Sequence, residues 1–461
     1  MTVILWLRRD LRVRDNAALR AALDQHAPII PAVVLPPVPD GPWVRPRHDA
    51  FLGAVSGLAF ELAQRGSRLV TLSGSPVNAL VRLAEHTRAD TLFFSRSHDP
   101  FDLGEELAVV GEMMALGLYV RGFDQGHLVA PGEIRNPQSR PYERFREYHL
   151  AWQSMAGHKP VRAPGLLPGR EEVDPAAEAL GGALSTPETT AATVDGEPRA
   201  HGLWLKFLNQ RLYTYLNRQE TVGQSFSSGV SPYLNLGCLS PAALFSTLRA
   251  RRDAGLTGLY RRCVDEVEQG LCLRDFCLDR LAGDRELRRI LTDTMAAGSP
   301  AAFLNGKAEM ARFSAWVHGL CGVPLVDAAM TDLKTRGWIS QPLRQVTAHF
   351  MIHFLKLPWQ AGFLHFARSL ADHLGPVNFL NWYSLSGAST GLPRPPAFSL
   401  HPVAAARSLD SEARYIRHLL PALANLTPAM AIAPFRADRR RLLSRGFILG
   451  RNYPRPIVPL E

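Results

Sequence analysis

Val3-Ile4-Leu5-Trp6-Leu7 is a run of five apolar residues that stops abruptly at Arg8-Arg9-Asp10. An unbroken apolar run of that length, opened by β-branched residues, suits a strand covered on both faces. Outward from it the same grammar repeats. Runs at Ile29–Leu35, Arg68–Leu72, Thr91–Phe94 and Leu118–Arg121 read as further strands. Stretches near Ala17–Leu23, Phe51–Gln64, Pro76–Glu85 and Gly104–Leu116 read as the helices between them. Strand and helix alternating at this spacing predict an α/β doubly wound parallel-sheet N-terminal domain. No G-x-G-x-x-G follows the first strand, so the dinucleotide fingerprint is absent.

The grammar changes at Pro160. Pro164, Pro168, Pro175, Pro187 and Pro198 follow, with Gly, Ala, Thr and Glu between them, the composition of a surface connector. From about Ala200 the apolar period is helical nearly everywhere, as in Ala311–Leu320, Leu325–Lys334 and Leu343–Leu355. The expected division is an α/β domain over 1–130, a connector over 131–199 and an all-α C-terminal domain over 200–461.

Composition narrows the function classes. The chain has 461 residues, 46% of them hydrophobic and 20% charged, enough for a large core and too apolar for general disorder. No run of 18 apolar residues occurs, so no membrane span is expected. Met1 leads straight into the first strand, so neither is a secretory signal. The five cysteines (Cys238, Cys263, Cys272, Cys277, Cys321) contain no C-x-x-C pair, which argues against a zinc ribbon or an iron–sulfur site and for a reducing cytoplasm. Lys plus Arg less Asp plus Glu is 52 − 42 = +10, which makes nucleic acid a candidate partner. Only five of those cations are lysines, and an arginine-rich genome would produce the same balance without any partner.

Two regions carry chemistry. The first is Phe226-Ser-Ser-Gly-Val-Ser-Pro-Tyr-Leu-Asn-Leu-Gly-Cys-Leu-Ser-Pro241. Small hydroxyls around Gly229, with Pro232 opening a helix, can present hydroxyls and backbone N–H groups to an anion such as a pyrophosphate; a capped helix start without a ligand fits as well. In the second, Arg344, Asp372, Asn378 and Trp382 fall in aromatic-rich helical surroundings, where a buried Arg–Asp pair needs a reason to exist. His349 and His353 stand four apart, but the zincin pattern needs Glu after the first His and Phe350 is there instead. No metal ligand set is expected. Arg436, Arg439, Arg440, Arg441 and Arg445 form a basic cluster that reads as a solvated helix face or a contact for acidic groups.

Trp6-Leu-Arg-Arg-Asp-Leu-Arg-Val-Arg-Asp-Asn16 resembles the first strand and loop of the photolyase/cryptochrome family of FAD-binding proteins. Further matches follow in family order: Gly126-His-Leu-Val-Ala-Pro-Gly-Glu-Ile134, Pro141-Tyr-Glu-Arg-Phe145, Ser227–Pro241, Trp316 with Pro324-Leu-Val-Asp-Ala-Ala-Met330, Gly337-Trp338, and Tyr415-Ile-Arg-His-Leu-Leu-Pro421. Each is modest alone; together they cover nearly the whole chain. The resemblance implies an α/β domain, a connector and an all-α FAD-binding domain. It implies that Tyr215 and the segment Ser227, Ser228, Val230 and Ser231 hold the FAD phosphates, the seryl hydroxyls above all, and that Arg274 lines the cofactor. Arg344 and Asp372 match the ion pair beside the flavin ring, where a fixed positive charge favours an anionic reduced flavin. Asn378 matches the residue facing flavin N5, with the amide usual in photolyases. Trp382 and Trp359 match the first two tryptophans of the family's electron-transfer chain, while the third aligns with Gly306. An antenna chromophore in the α/β domain is allowed, with no residue assigned to it.

The departures fall where the family holds damaged DNA. In typical dimer photolyases a Glu and a Trp precede the Arg-Asp-Phe element; here Gly270 and Leu273 stand there, in Gln269-Gly-Leu-Cys-Leu-Arg-Asp-Phe276. The second stacking tryptophan is Ser384, and the Asn-Arg after Gly-Trp is Gln341-Pro342. Base–aromatic stacking is worth roughly 1–3 kcal/mol per base, so losing two platforms and a carboxyl weakens lesion binding substantially. The expectation is a flavoprotein with light-driven electron transfer and without efficient dimer repair. Two alternatives stay open: a DNA photolyase with a rearranged lesion pocket, and a flavin enzyme acting on a small organic substrate in a larger, greasier cavity. The chain ends about forty residues after Pro421, which leaves little room for a long signalling tail.

Overall fold

The computed structural model describes residues 2–37, 44–157, 160, 162–165, 167, 196–216, 222, 227–253 and 258–460. Most of the proline-rich stretch 160–198 therefore lies outside the described residues.

The opening apolar run forms β1 (Val3–Trp6), the middle strand of a five-stranded sheet. Ile29–Leu35 is β2, Val70–Ser73 β3, Thr91–Ser95 β4 and Tyr119–Phe123 β5. All pair in parallel, in the order β3-β2-β1-β4-β5. Period-two alternation sorts the side chains of β1. Val3 and Leu5 join Ile29, Val33 and Phe93 in the core on one face; Ile4 and Trp6 join Val70, Leu72 and Phe94 on the other. Four helices connect the strands: α1 (Ala17–Leu23), α2 (Arg45–Ala63), α3 (Pro76–Thr87) and α4 (Pro100–Ala115). Asn16 starts α1 by accepting the Leu19 N–H, and Pro46 sits in the first turn of α2, which begins six residues before the apolar pattern does. The third strand begins at Val70 rather than Arg68, and the fifth at Tyr119.

The chain leaves β1 toward β2 and β3 on one side and returns to β4 and β5 on the other. A crevice therefore opens beyond the ends of β1 and β4, the place where doubly wound sheets bind ligands.

After β5 the chain is helical, from α5 (Phe145–Met155) onward. The helix Leu259–Gly283 is the strut that joins the halves. Its Asp275 carboxylate accepts the N–H groups of Leu128 and Val129 at 3.0 and 3.1 Å and the Trp152 indole at 2.9 Å. Asp279, one turn on, accepts Gly132 N–H at 2.7 Å. On the other side Glu197 accepts Val13 N–H at 2.8 Å. The Arg8–Arg12 loop touches the helical half so closely that a Cβ at Gly237, whose φ is +74°, would sit 1.9 Å from the Arg9 carbonyl oxygen. Glycine is required there. All five cysteines are buried and free. The helix expected over Leu343–Leu355 is regular over Gln341–His349 and then widens into a π-type turn at Phe350–Phe354. Among the described residues no helix is long and apolar enough to cross a membrane.

Candidate functional site

Three helices frame the first cavity: Gln341–His349, Trp359–Ser369 and Gly375–Leu385. It holds about 410 Å³, part of it open to solvent, and is lined by Arg344, Asp372, Asn378 and Trp382 among others. Four of the residues singled out in the sequence thus meet at one wall.

Their polar groups form one chain of hydrogen bonds. Arg344 Nη2 donates to both Asp372 oxygens at 2.9 and 2.8 Å, and its Nε donates to the Ile339 carbonyl at 2.9 Å. Asp372 Oδ2 also accepts from Ser231 Oγ at 2.7 Å, and Ser231 Oγ accepts from the Trp338 indole at 3.0 Å. The Asp372 side chain is 5% exposed and that of Arg344 20%. A buried pair this well satisfied holds its geometry, because breaking either partner strands a charge. Asn378 Nδ2 donates to the Phe363 carbonyl at 3.3 Å, which orients its amide beside the cavity.

This network alters one expectation. A hydroxyl has a single proton, and that of Ser231 is committed to Asp372. The Ser227 and Ser228 hydroxyls take no part in this network. Ser227 Oγ is buried and makes no hydrogen bond among the described residues, so the donor set fits an anionic group such as the FAD pyrophosphate. Val230 is buried at the start of the short helix Ser231–Asn235, and Tyr215 packs edge-on against Phe207 at 5.6 Å.

Trp382 is 2% exposed and packs against Phe366 at 5.1 Å and Trp316 at 6.2 Å. The close approach rests on Gly362, where a Cβ would lie 2.2 Å from Trp382 Cη2. The sequence reading missed Gly362, since nothing local marks a helical glycine as a seat for a distant ring. Trp359 belongs to a neighbouring group, with Phe379 at 5.8 Å and Tyr383 at 5.4 Å. Gly306 is exposed, with open space at its Cα.

The five positions expected to line a substrate pocket disperse. Gln341 lines the cavity, donating to Asn381 at 3.0 Å. Pro342 is half-buried in the same first turn. Ser384 is buried and accepts from Arg394 at 3.2 Å. Gly270 is exposed with open space around it, and Leu273 is half-buried against apolar neighbours. The His349 and His353 rings lie 4.4 Å apart, tilted by 39°, and His353 donates to the Leu385 carbonyl at 2.8 Å.

Arg274 faces the crevice beyond β1 and β4 instead, hydrogen-bonded to the Gly126 carbonyl. This second cavity holds about 560 Å³ and is lined by Arg8, Arg9, Ser95, His98, His127 and Arg274 among others; Leu374 lines both cavities. Arg9 is paired with Asp102 at 2.7 Å, and Arg8 with Glu106.

Comparison with known proteins bears on the family and the fold. The family described as DNA photolyase matches residues 3–165, and the FAD binding domain of DNA photolyase matches residues 267–461. A deoxyribodipyrimidine photo-lyase of Agrobacterium fabrum is 28% identical over 473 residues, covering 99% of this chain and 94% of that protein. Cryptochrome-2 of Arabidopsis thaliana is also 28% identical, covering 99% of this chain and 76% of that one. The crystal structure of a class III photolyase from Agrobacterium tumefaciens superposes with a TM-score of 0.85 at 26% identity, covering 99% of this chain and 94% of that one.

Proposed function

The chain belongs to the photolyase/cryptochrome family of FAD-binding proteins, and on that premise we propose a flavoprotein of light-driven electron transfer that does not repair cyclobutane dimers efficiently. One contrast carries the reading. The groups suited to a flavin ring (Arg344, Asp372, Asn378 and Trp382) share one cavity wall, while the positions where the family holds a lesion carry Gly270, Leu273, Ser384, Gln341 and Pro342. When bound, FAD supplies the redox chemistry and the protein tunes it. Arg344, fixed by Asp372, contributes a positive charge that favours a reduced, anionic ring. Asn378 would offer an amide to the ring, and Tyr215, Ser227 and Ser228 would hold the phosphates.

Trp382 and Trp359 are the inner electron donors in this reading. Half-buried Tyr383, 5.4 Å from Trp359, takes the outer role that Gly306 cannot fill. Trp382→Phe is expected to suppress flavin photoreduction in blue light with an external donor, and Tyr383→Phe to slow it.

The deciding experiment mixes the FAD-loaded, reduced protein with a thymine-dimer oligonucleotide in blue light and in darkness. No light-dependent loss of dimer is expected. Restored thymines in light alone would overturn the reading in favour of a photolyase with a rearranged lesion pocket, an outcome that the net charge of +10 would suit.

A further inference from the structure

The loops that follow the last two strands of the sheet bring together three side chains that the flavin cavity does not use. His98 follows β4, while Asp124 and His127 follow β5. The loops are held from both sides. Arg96 N–H donates to the Phe123 carbonyl at 2.9 Å, and Leu128 and Val129 N–H are held by Asp275.

Both imidazoles converge on one carboxylate oxygen. His98 Nε2 lies 2.6 Å and His127 Nε2 3.7 Å from Asp124 Oδ1, while Arg96 stands 3.9 Å from the other oxygen, Oδ2. All three ligand atoms fit within 4.8 Å of one another. Bonds of about 2.0–2.1 Å to a tetrahedral ion would hold ligand atoms roughly 3.3 Å apart, a spacing that the two observed distances bracket.

The second observation is independent of the clustering. The His127 side chain is 7% exposed, and its Nε2 is buried without a hydrogen bond among the described residues. Its 3.7 Å approach to Asp124 Oδ1 is an ion-pair distance too long for a hydrogen bond, so the buried ring nitrogen still lacks a short polar contact among the described residues. His127 and His98 together hold the Asp124 carboxyl below the usual carboxylate range.

We propose that His98, Asp124 and His127 form a three-ligand site for a divalent transition metal of the zinc class, with a fourth position open to solvent or to the crevice beside it. Two imidazoles and one carboxylate suit that class better than magnesium or calcium, which favour all-oxygen sets. The ion takes the place of the Nε2 proton of His98, which passes to Nδ1 in a neutral ring or is released to solvent from an imidazolium.

The test uses the full chain with FAD bound, stripped by a chelator and titrated first with Co2+ and then with Zn2+. Cobalt is expected to give tetrahedral ligand-field bands to the red of the flavin absorption. Zinc should abolish them at about one equivalent per chain. Competition with a chromophoric chelator gives the affinity. His127→Ala and His98→Ala are each expected to lose more than about 100-fold, beyond the 10–100-fold typical of a change outside the ligand shell. His349→Ala, in the histidine pair of the helical half, should bind as the parent does. Unchanged FAD content in the variants localises the loss. If His127→Ala fails to fold, the surface-accessible Asp124→Asn carries the same test. Absent cobalt bands, or affinity equal in parent and variants, would overturn the site and leave a hydrogen-bonded His–Asp–His cluster.

Discussion

Leu374 separates two cavities whose polar groups are settled in opposite ways. On the helical side Trp338, Ser231, Asp372 and Arg344 satisfy one another in an unbroken chain, so the wall is organised before any ligand arrives. On the sheet side Arg8 and Arg9 are paired with acids, but His127 presents a buried nitrogen with no hydrogen bond among the described residues. The first cavity draws its lining from consecutive helices within Gln341–Leu385; the second gathers the loops after β1, β4 and β5 with side chains as distant in the chain as Asn235, Arg274 and Leu374. A wall that answers its own charges can hold a redox cofactor rigidly, whereas a site with an unmet donor atom is completed by what it binds.

The sharpest way to break this comparison is Asp372→Asn. It leaves the Arg344 guanidinium, mostly buried, without its counter-charge, and we expect a loss of about 3 kcal/mol, at the low end for a broken buried pair because the amide still accepts a hydrogen bond. FAD content after gel filtration measures it, and cobalt binding at the sheet edge should not change. Loss of both would mean that the cavities act as one site. Gly362→Ala comes next. Its Cβ would overlap Trp382, and overpacking of this kind costs about 1–3 kcal/mol, read from the urea midpoint together with flavin retention.

Acid separates the two regions by window, not by sign. Burial pushes His365, edge-on against Trp316, down to about 3. In the unfolded chain it would titrate near 6.5, so the folded state refuses protons that the unfolded state accepts. Stability contributed by neutral His365 is complete above pH 6.5. It falls by up to about 1.4 kcal/mol per pH unit as pH drops toward 3. Asp124 on the sheet side has a lowered folded pKa as a carboxylate, so its contribution persists until pH falls below the ordinary carboxylate range. Urea midpoints between pH 7 and 4.5 should decline, and His365→Phe should flatten that decline; an unchanged slope would remove His365 as its cause. The smallest effect is Ser231→Ala. It removes a donor to Asp372 and strands the Trp338 N–H at a cost of about 1 kcal/mol in the same urea assay, with FAD content nearly unchanged because Ser227 and Ser228 remain.

Much of this could be read without coordinates. The five strands and four connecting helices of the sheet domain are visible as alternating periods, with ends displaced by a few residues where a proline or a cap, rather than apolar spacing, sets the start. Arg344, Asp372, Asn378 and Trp382 could be named from the family resemblance, and they share one wall. Gln341, Pro342, Ser384, Gly270 and Leu273 are a different case. Aligned positions identify what a pocket has lost, but where each replacement points depends on its neighbours: Ser384 turns to Arg394, and Gly270 faces open space.

Local periodicity, the resemblance and the buried cysteines' lack of metal spacing needed only the order of residues, because periods of two and 3.6 are properties of the backbone itself. The commitment of the Ser231 proton to Asp372, the seating of Trp382 on Gly362 and the meeting of His98 with Asp124 and His127 needed the tertiary structure. Each joins groups through the order of strands or the crossing of helices, and no window along the chain records which loops a parallel sheet will set side by side.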